Sequence, residues 1–347
     1  MIQWKKAVRS LPLQALCLLG VALPAVQASA ADTYKVVDKW TIGGTTGWDY
    51  LLADSVNHVL YVTHGTELDV LDLNNGNVLQ RITGFKGLHG VALDPENKYA
   101  YISDGGANAV VVLDRHSYAK VSSIAAGTNP DGIAYEPVTR TVWALNGRSQ
   151  DATVIDATTQ QVVATVKVPG KPEAPEVDGK GSVYINIETK NELVRVDAKT
   201  RAVTGEWPLK GCESPSGLAV DSVHRRVYSV CDSKVMIATD ADTGTLVKQI
   251  PIGNGPDASE VDAKNNLVFS PNGEDGTLTV ISTTDLAVRQ TVKTQTSGRT
   301  LAFDASTGRI FVTVAQMGPR PAATTENPRP RPAIVPGSFA VLVIAKQ

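Results

Sequence analysis

Residues 127–136 read GTNPDGIAYE: a turn rich in Gly, Asn and Pro, a polar residue, a short run of small and apolar residues, and a closing acid. The pattern returns in altered form as GPDASEVD at 255–262. Aligned on the closing acid, the segments WDYLLAD, HGVALD, DGIAYE, EAPEVD, SGLAVD, DASEVD and RTLAFD end at Asp54, Asp94, Glu136, Asp178, Asp221, Asp262 and Asp304. Successive acids lie 40, 42, 42, 43, 41 and 42 residues apart. Seven cycles at so even a period mark a repeat architecture, in which one supersecondary unit is copied along the chain.

Each cycle holds further runs of strand length. A second run follows a short polar turn: VLYVTH, YAYISD, TVWALN, SVYINI, RVYSVC, LVFSPN and RIFVTV. A third follows: LDVLDL, AVVVLD, ATVIDA, ELVRVD, VMIATD, LTVIST and FAVLVI. These runs are rich in β-branched and aromatic residues and are bounded by Gly, Asn, Asp and Pro, so they read as strands. Turns such as NNG at 74–76 and DTG at 242–244 supply the glycine that a tight reversal with positive φ requires.

A fourth run closes six of the cycles, from VLQRITG to VRQTVKT, but the seventh ends at FAVLVI with none. The missing strand stands at the other end of the chain, where YKVVDKWTI, 34–42, precedes the first cycle. Pairing that strand with the last sheet closes the circle and removes the open sheet edges. The expected fold is all-β, a seven-bladed β-propeller of four-stranded antiparallel blades over 31–347. An open solenoid or a pair of sandwiches would leave the first strand without a role.

The first thirty residues differ in kind. MIQWKKAVR is basic, Leu11 to Val26 is mostly apolar, and Ala28-Ser29-Ala30 has the small-x-small pattern of a cleavage site, so 1–30 is expected to be a secretory signal cleaved after Ala30. The apolar stretch is interrupted by Pro12, Gln14 and Pro24 and is short for a membrane span. The exported remainder, periplasmic or secreted, carries no membrane span and is expected to be a monomer. Of the 33 basic and 35 acidic residues in the full chain, three basic ones fall in the leader, and the body is left mildly acidic. Such a body has no general attraction for phosphate backbones. Two cysteines remain, Cys212 and Cys231, and in an oxidising compartment the pair is expected to form a disulfide.

YVTH at 61–64, FVTV at 311–314, the turn DADTGTLV at 240–247 and the Gly-x-x-Pro loops resemble the YVTN-type repeat. Over all seven cycles the chain is similar to the exported YncE-like seven-bladed propellers of bacteria. That resemblance implies the fold and a binding role toward nucleic acid or protein. It implies no catalytic motif.

Five residues before each closing acid stand Asp49, His89, Asp131, Glu173, Ser216, Asp257 and Arg299, all polar. In a propeller the innermost strands line the central channel, so these seven are expected to ring one of its mouths. Two residues before the acid most cycles carry something small or apolar, such as Ala92, Ala134, Ala219 and Ala302, but the fourth and sixth carry Glu176 and Glu260. Crowded carboxylates raise one another's pKa or recruit a cation. An oxygen-rich set drawn from Asp131, Glu173, Glu176 and Glu260 would suit Ca2+ or another divalent cation. The plainer expectation is a hydrated polar ring in which Arg299 pairs with Asp257 and Asp49.

Three function classes follow. The leading expectation is a non-enzymatic binding or scaffold protein, working on a protein or small-molecule ligand through the acidic mouth and the proline-rich loop of the last blade. A Ca2+-type lactonase or esterase at the same mouth is the alternative, similar in outline to the gluconolactonase propellers but without their motif. Single-stranded nucleic-acid binding is a second alternative, kept open by Trp48 beside the ring and opposed by the acidic charge. His58, His116 and His224 read as solvated turn residues, and His64 with His89 as a weak metal pair. No Gly-x-Ser-x-Gly elbow, covalent haem motif or phosphate loop is present. Finally, MGPRPAATTENPRPRPAIVPG, within 315–338, replaces a short turn of the last blade; its six prolines and Arg320, Arg329 and Arg331 suit an extended basic strip that caps the mouth or meets a partner.

Overall fold

The computed structural model describes residues 1–4, 33–325, 330 and 332–347. The chain divides into two compact units, Met1–Asp32 and Thr33–Gln347, and every sheet belongs to the second. Residues 5–32, which hold most of the expected leader and its expected cleavage position, and Arg329 and Arg331 lie outside the described residues. None of the described helices is long and apolar enough to cross a membrane.

Seven four-stranded antiparallel sheets form the propeller. Their innermost strands are Leu51–Asp54, Leu88–Leu93, Pro130–Glu136, Pro172–Val177, Pro215–Asp221, Glu260–Asp262 and Leu301–Asp304. The second strands coincide with the seven second runs, from Val59–His64 to Arg309–Val314. Blade seven is completed from the other end of the chain: Tyr34–Thr41 pairs with Ala340–Lys346 as its outermost strand.

Why the sequence stacks as a ring is visible in its buried groups. The third residue of every second run is aromatic: Tyr61, Tyr101, Trp143, Tyr184, Tyr228, Phe269 and Phe311, all 0% exposed. Each anchors one of seven apolar clusters shared by neighbouring blades, the first blade also meeting the last. A blade alone could not bury both of its faces, so stacking is what generates the core. The closing strand serves two of these clusters, through Tyr34 between blades six and seven and Trp40 between blades seven and one.

The acids that define the repeat are turn caps. Asp54 accepts hydrogen bonds from the backbone N–H of Val56 and Asn57, Glu136 from Val138 and Thr139, and Asp221 from Val223 and His224. A short polar side chain that satisfies turn amides is the usual way to end a strand in a tight reversal. Asp54 also receives the Arg115 guanidinium of blade two at 2.6 Å.

Candidate functional site

The seven ring positions meet around one opening. In blades two to five the innermost strand carries a register shift at its start: between Leu88 and Val91, Pro130 and Ile133, Pro172 and Pro175, and Pro215 and Leu218. His89, Asp131, Glu173 and Ser216 sit within these irregularities. A bulge frees its residue from the ladder and re-aims the side chain, here toward the mouth. The next residue in each case is small, because neighbouring strands approach backbone to backbone. A Cβ on Gly132 would lie 2.4 Å from the Glu173 carbonyl oxygen, and one on Gly217 would lie 2.3 Å from Ala258 Cα.

Hydrogen bonds pass from blade to blade around this rim. Thr63 Oγ1 donates to the carbonyl oxygens of Tyr50 at 2.8 Å and His89 at 3.0 Å, and Ser103 Oγ donates to that of Asp131 at 2.5 Å. Asn186 Nδ2 reaches the carbonyls of Ser216 and Gly217, while Ser216 Oγ reaches that of Pro256. Thr300 Oγ1 donates to the Asp49 carbonyl at 2.9 Å and so joins blade seven to blade one.

Asp49, His89, Asp131, Glu173, Ser216, Asp257 and Arg299 all line one cavity of about 590 Å3. His89 Nδ1 lies 2.7 Å from Asp49 Oδ2 and 3.4 Å from Asp131 Oδ1. Burial opposes the charged form of His89, but the hydrogen bond to Asp49 and the nearby charges of Asp131, Asp49 and Glu173 prevail and push its pKa up to about 9. Arg299 Nε is 2.6 Å from Asp257 Oδ2, and its guanidinium is 4.0 Å from Asp49 Oδ1. Burial raises the pKa of Asp131, with Asp49 adding to the effect; burial likewise raises that of Glu173, with Asp131 adding to it.

The cavity holds groups that the repeat alignment passed over. Lys171 sits 2.9 Å from Glu173 Oε2 and also pairs with Glu188. Its position is Gly47, Gly87, Asn129, Ser214, Gly255 and Ser297 in the other cycles, and that contrast is the signal that could have found it. Glu188, Asp232 and Glu274 reach the cavity from the turns after the second strands. Tyr50 occupies a place where the other blades carry Gly, Ala or Thr. Burial, followed by the charges of Glu173, Asp257, Asp49 and Asp131, holds its phenol well above the ordinary range, so it stays protonated among the carboxylates.

Glu176 and Glu260 do not join the ring. They line a narrower space of about 110 Å3 with Tyr50, Ser259, Pro175 and mostly apolar neighbours. Burial raises the pKa of both, and the charge of Glu260 adds to the effect on Glu176. The set Asp131, Glu173, Glu176 and Glu260 therefore does not converge as one ion site; among the described residues the close mouth cluster is Asp49, His89 and Asp131, with ligand atoms within 4.8 Å of one another. The reason is geometric: residues three apart on an innermost strand differ in depth along the channel.

The expected His64–His89 pair does not form either. His64 is 2% exposed, stacks on Phe339 at 4.2 Å and bonds Asp69 at 3.1 Å, in a cluster with Glu67. His58 and His116 are exposed as expected, whereas His224 is half-buried with Nδ1 2.7 Å from Asp221. Trp48 lines the cavity but is only 7% exposed, with the Phe339 ring at 5.2 Å and the Arg299 guanidinium at 5.8 Å from its own. Cys212 and Cys231 form a disulfide with Cα atoms 5.3 Å apart.

The loop of the last blade reaches the same cavity. Met317 bridges Ile334, and Gly318 N–H donates to the Ala333 carbonyl, so the base of the loop is zipped as a hairpin. Met317, Arg320 and Pro332 line the cavity wall.

Fold and site together define a seven-bladed β-propeller with a polar, predominantly acidic cavity at one mouth of its channel. The chain is similar to a solved chain of Kuenenia stuttgartiensis hydrazine synthase, with a TM-score of 0.69 and 14% identity over 83% of this chain and 95% of that one. At that identity the likeness is one of fold. No family model matches the chain, the YVTN repeat included, and no curated relative matches it.

Proposed function

We propose that this chain is an exported, non-catalytic propeller of the YncE-like kind that binds a ligand or partner segment carrying basic groups at its acidic mouth, with the 315–338 loop forming part of the wall. The observation that carries the reading is one cavity into which all seven blades, from their innermost strands or the loops that enter them, and the loop of the last blade send side chains. Among the described residues seven carboxylates line it against Lys171, Arg299 and Arg320, with His89 between two of the acids. Low-dielectric walls around one sign of charge concentrate the opposite sign. Export is supported by the disulfide and by the basic and apolar character of the first thirty residues.

Nucleic-acid binding is less well supported, because the acidic lining repels phosphate and Trp48 is buried, leaving little of its ring for a base to stack on. The test is calorimetric titration at low ionic strength with spermidine, a lysine-rich peptide, a glutamate-rich peptide and a single-stranded oligonucleotide. Binding of the two basic probes, weakened by salt and by the pair Glu173→Gln with Asp257→Asn, is the expected result. Equal heats in wild type and variant, or preference for the oligonucleotide, would remove the proposal.

A further inference from the structure

We infer that Asp49, His89 and Asp131 form a binding site for a divalent ion of the Zn2+ class, held by one imidazole nitrogen and two carboxylate oxygens, with its remaining positions open to the mouth cavity. The inference goes beyond the reading above and does not require a basic ligand.

The donor set comes from three successive blades, and each donor is positioned independently. His89 Nδ1 is the ring atom that faces both carboxylates, 2.7 Å from Asp49 Oδ2 and 3.4 Å from Asp131 Oδ1. Its other ring nitrogen faces away, toward Gly105, where a Cβ would meet it at 2.8 Å. Asp49 divides its work: Oδ1 is the oxygen nearest Arg299, at 4.0 Å, and Oδ2 is turned to the imidazole. Arg299 bonds Asp257 at 2.6 Å and stands farther from Asp49, at 4.0 Å, so it offsets only part of the charge of the cluster.

Asp131 supplies the second, independent observation. It is 8% exposed, yet its carboxylate accepts no hydrogen bond from any described residue, and its one close cation is the imidazole at 3.4 Å. A buried carboxylate left so poorly matched is costly, because desolvation must be offset by donors or by a cation. Its backbone is fixed meanwhile by the Ser103 hydroxyl, so the side chain cannot escape by a shift of the strand. The group faces the imidazole, its one ion-pair partner among the described residues, with its side chain 11% exposed and its remaining acceptor capacity unused by them.

Dimensions agree with a small ion. A tetrahedral ion with bonds of about 2.0–2.1 Å separates its donors by roughly 3.3 Å. The imidazole to Asp131 separation already has that value, and Asp49 needs to swing outward by about 0.6 Å on the same geometry, within reach of a side-chain torsion. The ion would take the place of the proton on Nδ1, which leaves to solvent. Ca2+ fits poorly, since it seeks six to eight oxygen donors, whereas one nitrogen and two oxygens suit Zn2+ and its neighbours. Three protein donors leave a coordination position for water or a ligand atom from the cavity.

The test starts from the full exported protein stripped with a chelator. ZnCl2 is titrated into wild type, His89→Asn and Asp131→Asn by calorimetry, with CaCl2 as a contrast, and Co2+ is loaded in parallel to read its visible absorption. Far-UV circular dichroism and the melting midpoint check that each variant is folded; should one variant fail that check, the other and the Co2+ spectrum decide. One Zn2+ per chain is expected, with affinity lower in each variant by more than the roughly 10–100-fold that loss of even an outer-shell partner brings. The Co2+ spectrum should show a nitrogen and oxygen environment that His89→Asn alters. Absence of stoichiometric Zn2+ binding, undiminished binding in both variants, or stronger binding of Ca2+ would each overturn the inference. Spermidine titrated in the same series separates the two proposals: if it binds while Zn2+ does not, only the ion site falls, and if Zn2+ binds while basic probes do not, only the reading of the mouth as a basic-ligand site falls.

Discussion

Trp40→Ala should loosen the ring at its seam. Trp40 is 6% exposed, and its ring lies 5.4 Å from that of Phe311 in the cluster between blades seven and one. It also fills the space over Gly76 of blade one, where a Cβ would come within 2.1 Å of its ring carbons. Burying a tryptophan removes on the order of 200 Å2 from water, about 5 kcal/mol at roughly 25 cal/mol/Å2. Truncation of a core aromatic to alanine costs about 3–5 kcal/mol, in line with that figure. For a folding unit of about 315 residues, an unfolding entropy of about 2.1 cal/mol/K per residue converts this into a drop of about 5–8 °C in the melting midpoint. Thermal unfolding followed by circular dichroism, with a urea titration alongside, measures it. Tyr34→Phe is the internal control: Tyr34 is equally part of the closing strand, but its hydroxyl is buried without a hydrogen-bond partner among the described residues. Its removal should cost nothing or stabilise slightly. A Trp40→Ala midpoint within a degree of wild type would refute the claim that the first strand holds the circle shut. The consequence reaches the site, since the seam is where Thr300 and Arg299 of blade seven meet Asp49 and Trp48 of blade one.

Stability should be greatest in mildly acidic solution. Glu176 and Glu260 have raised pKa values through burial, so the unfolded chain gives up these protons first, and stability falls as pH rises from about 4.3, the ordinary glutamate value, toward neutrality and beyond. Asp54, Asp221 and Asp304 behave oppositely: burial pushes them up, but hydrogen bonds from Arg115, His224 and Ser55 with their turn amides pull them below the ordinary range. Their contribution is present above the ordinary aspartate value of about 3.9 and is lost as pH falls through the lowered ones. Melting midpoints from pH 3 to 9 should therefore rise and then fall, and Glu176→Gln with Glu260→Gln should flatten the alkaline limb; an unchanged limb would contradict the burial argument. For the disulfide, Cys212→Ala with Cys231→Ala opens a loop of 19-residue separation, and the chain-entropy relation gives a loss of about 3 kcal/mol. Equal urea midpoints for the variant and wild type would contradict it.

Repeat number, strand positions and closure were legible in the sequence because each depends on short-range chemistry. The aromatic at the third place of each second run, the acid that caps the following turn and the strand stranded before the first cycle are local marks, copied seven times, and a period averages out the irregularities of any one copy. The ring of seven mouth residues followed from the same alignment, since equivalent positions in a closed circle face one opening. What the alignment could not decide was distance. Whether Asp131 sits beside Asp49 and His89 or beside Glu176 depends on bulges, on the backbone approach that Gly132 permits and on depth along the channel, all of which arise only when the blades pack. Lys171 pairs with Glu173 and Glu188, Tyr50 lines the narrower space with Glu176 and Glu260, and His64 turns to Asp69 for a related reason: each is particular to one copy, and such a residue acquires its neighbours only in three dimensions.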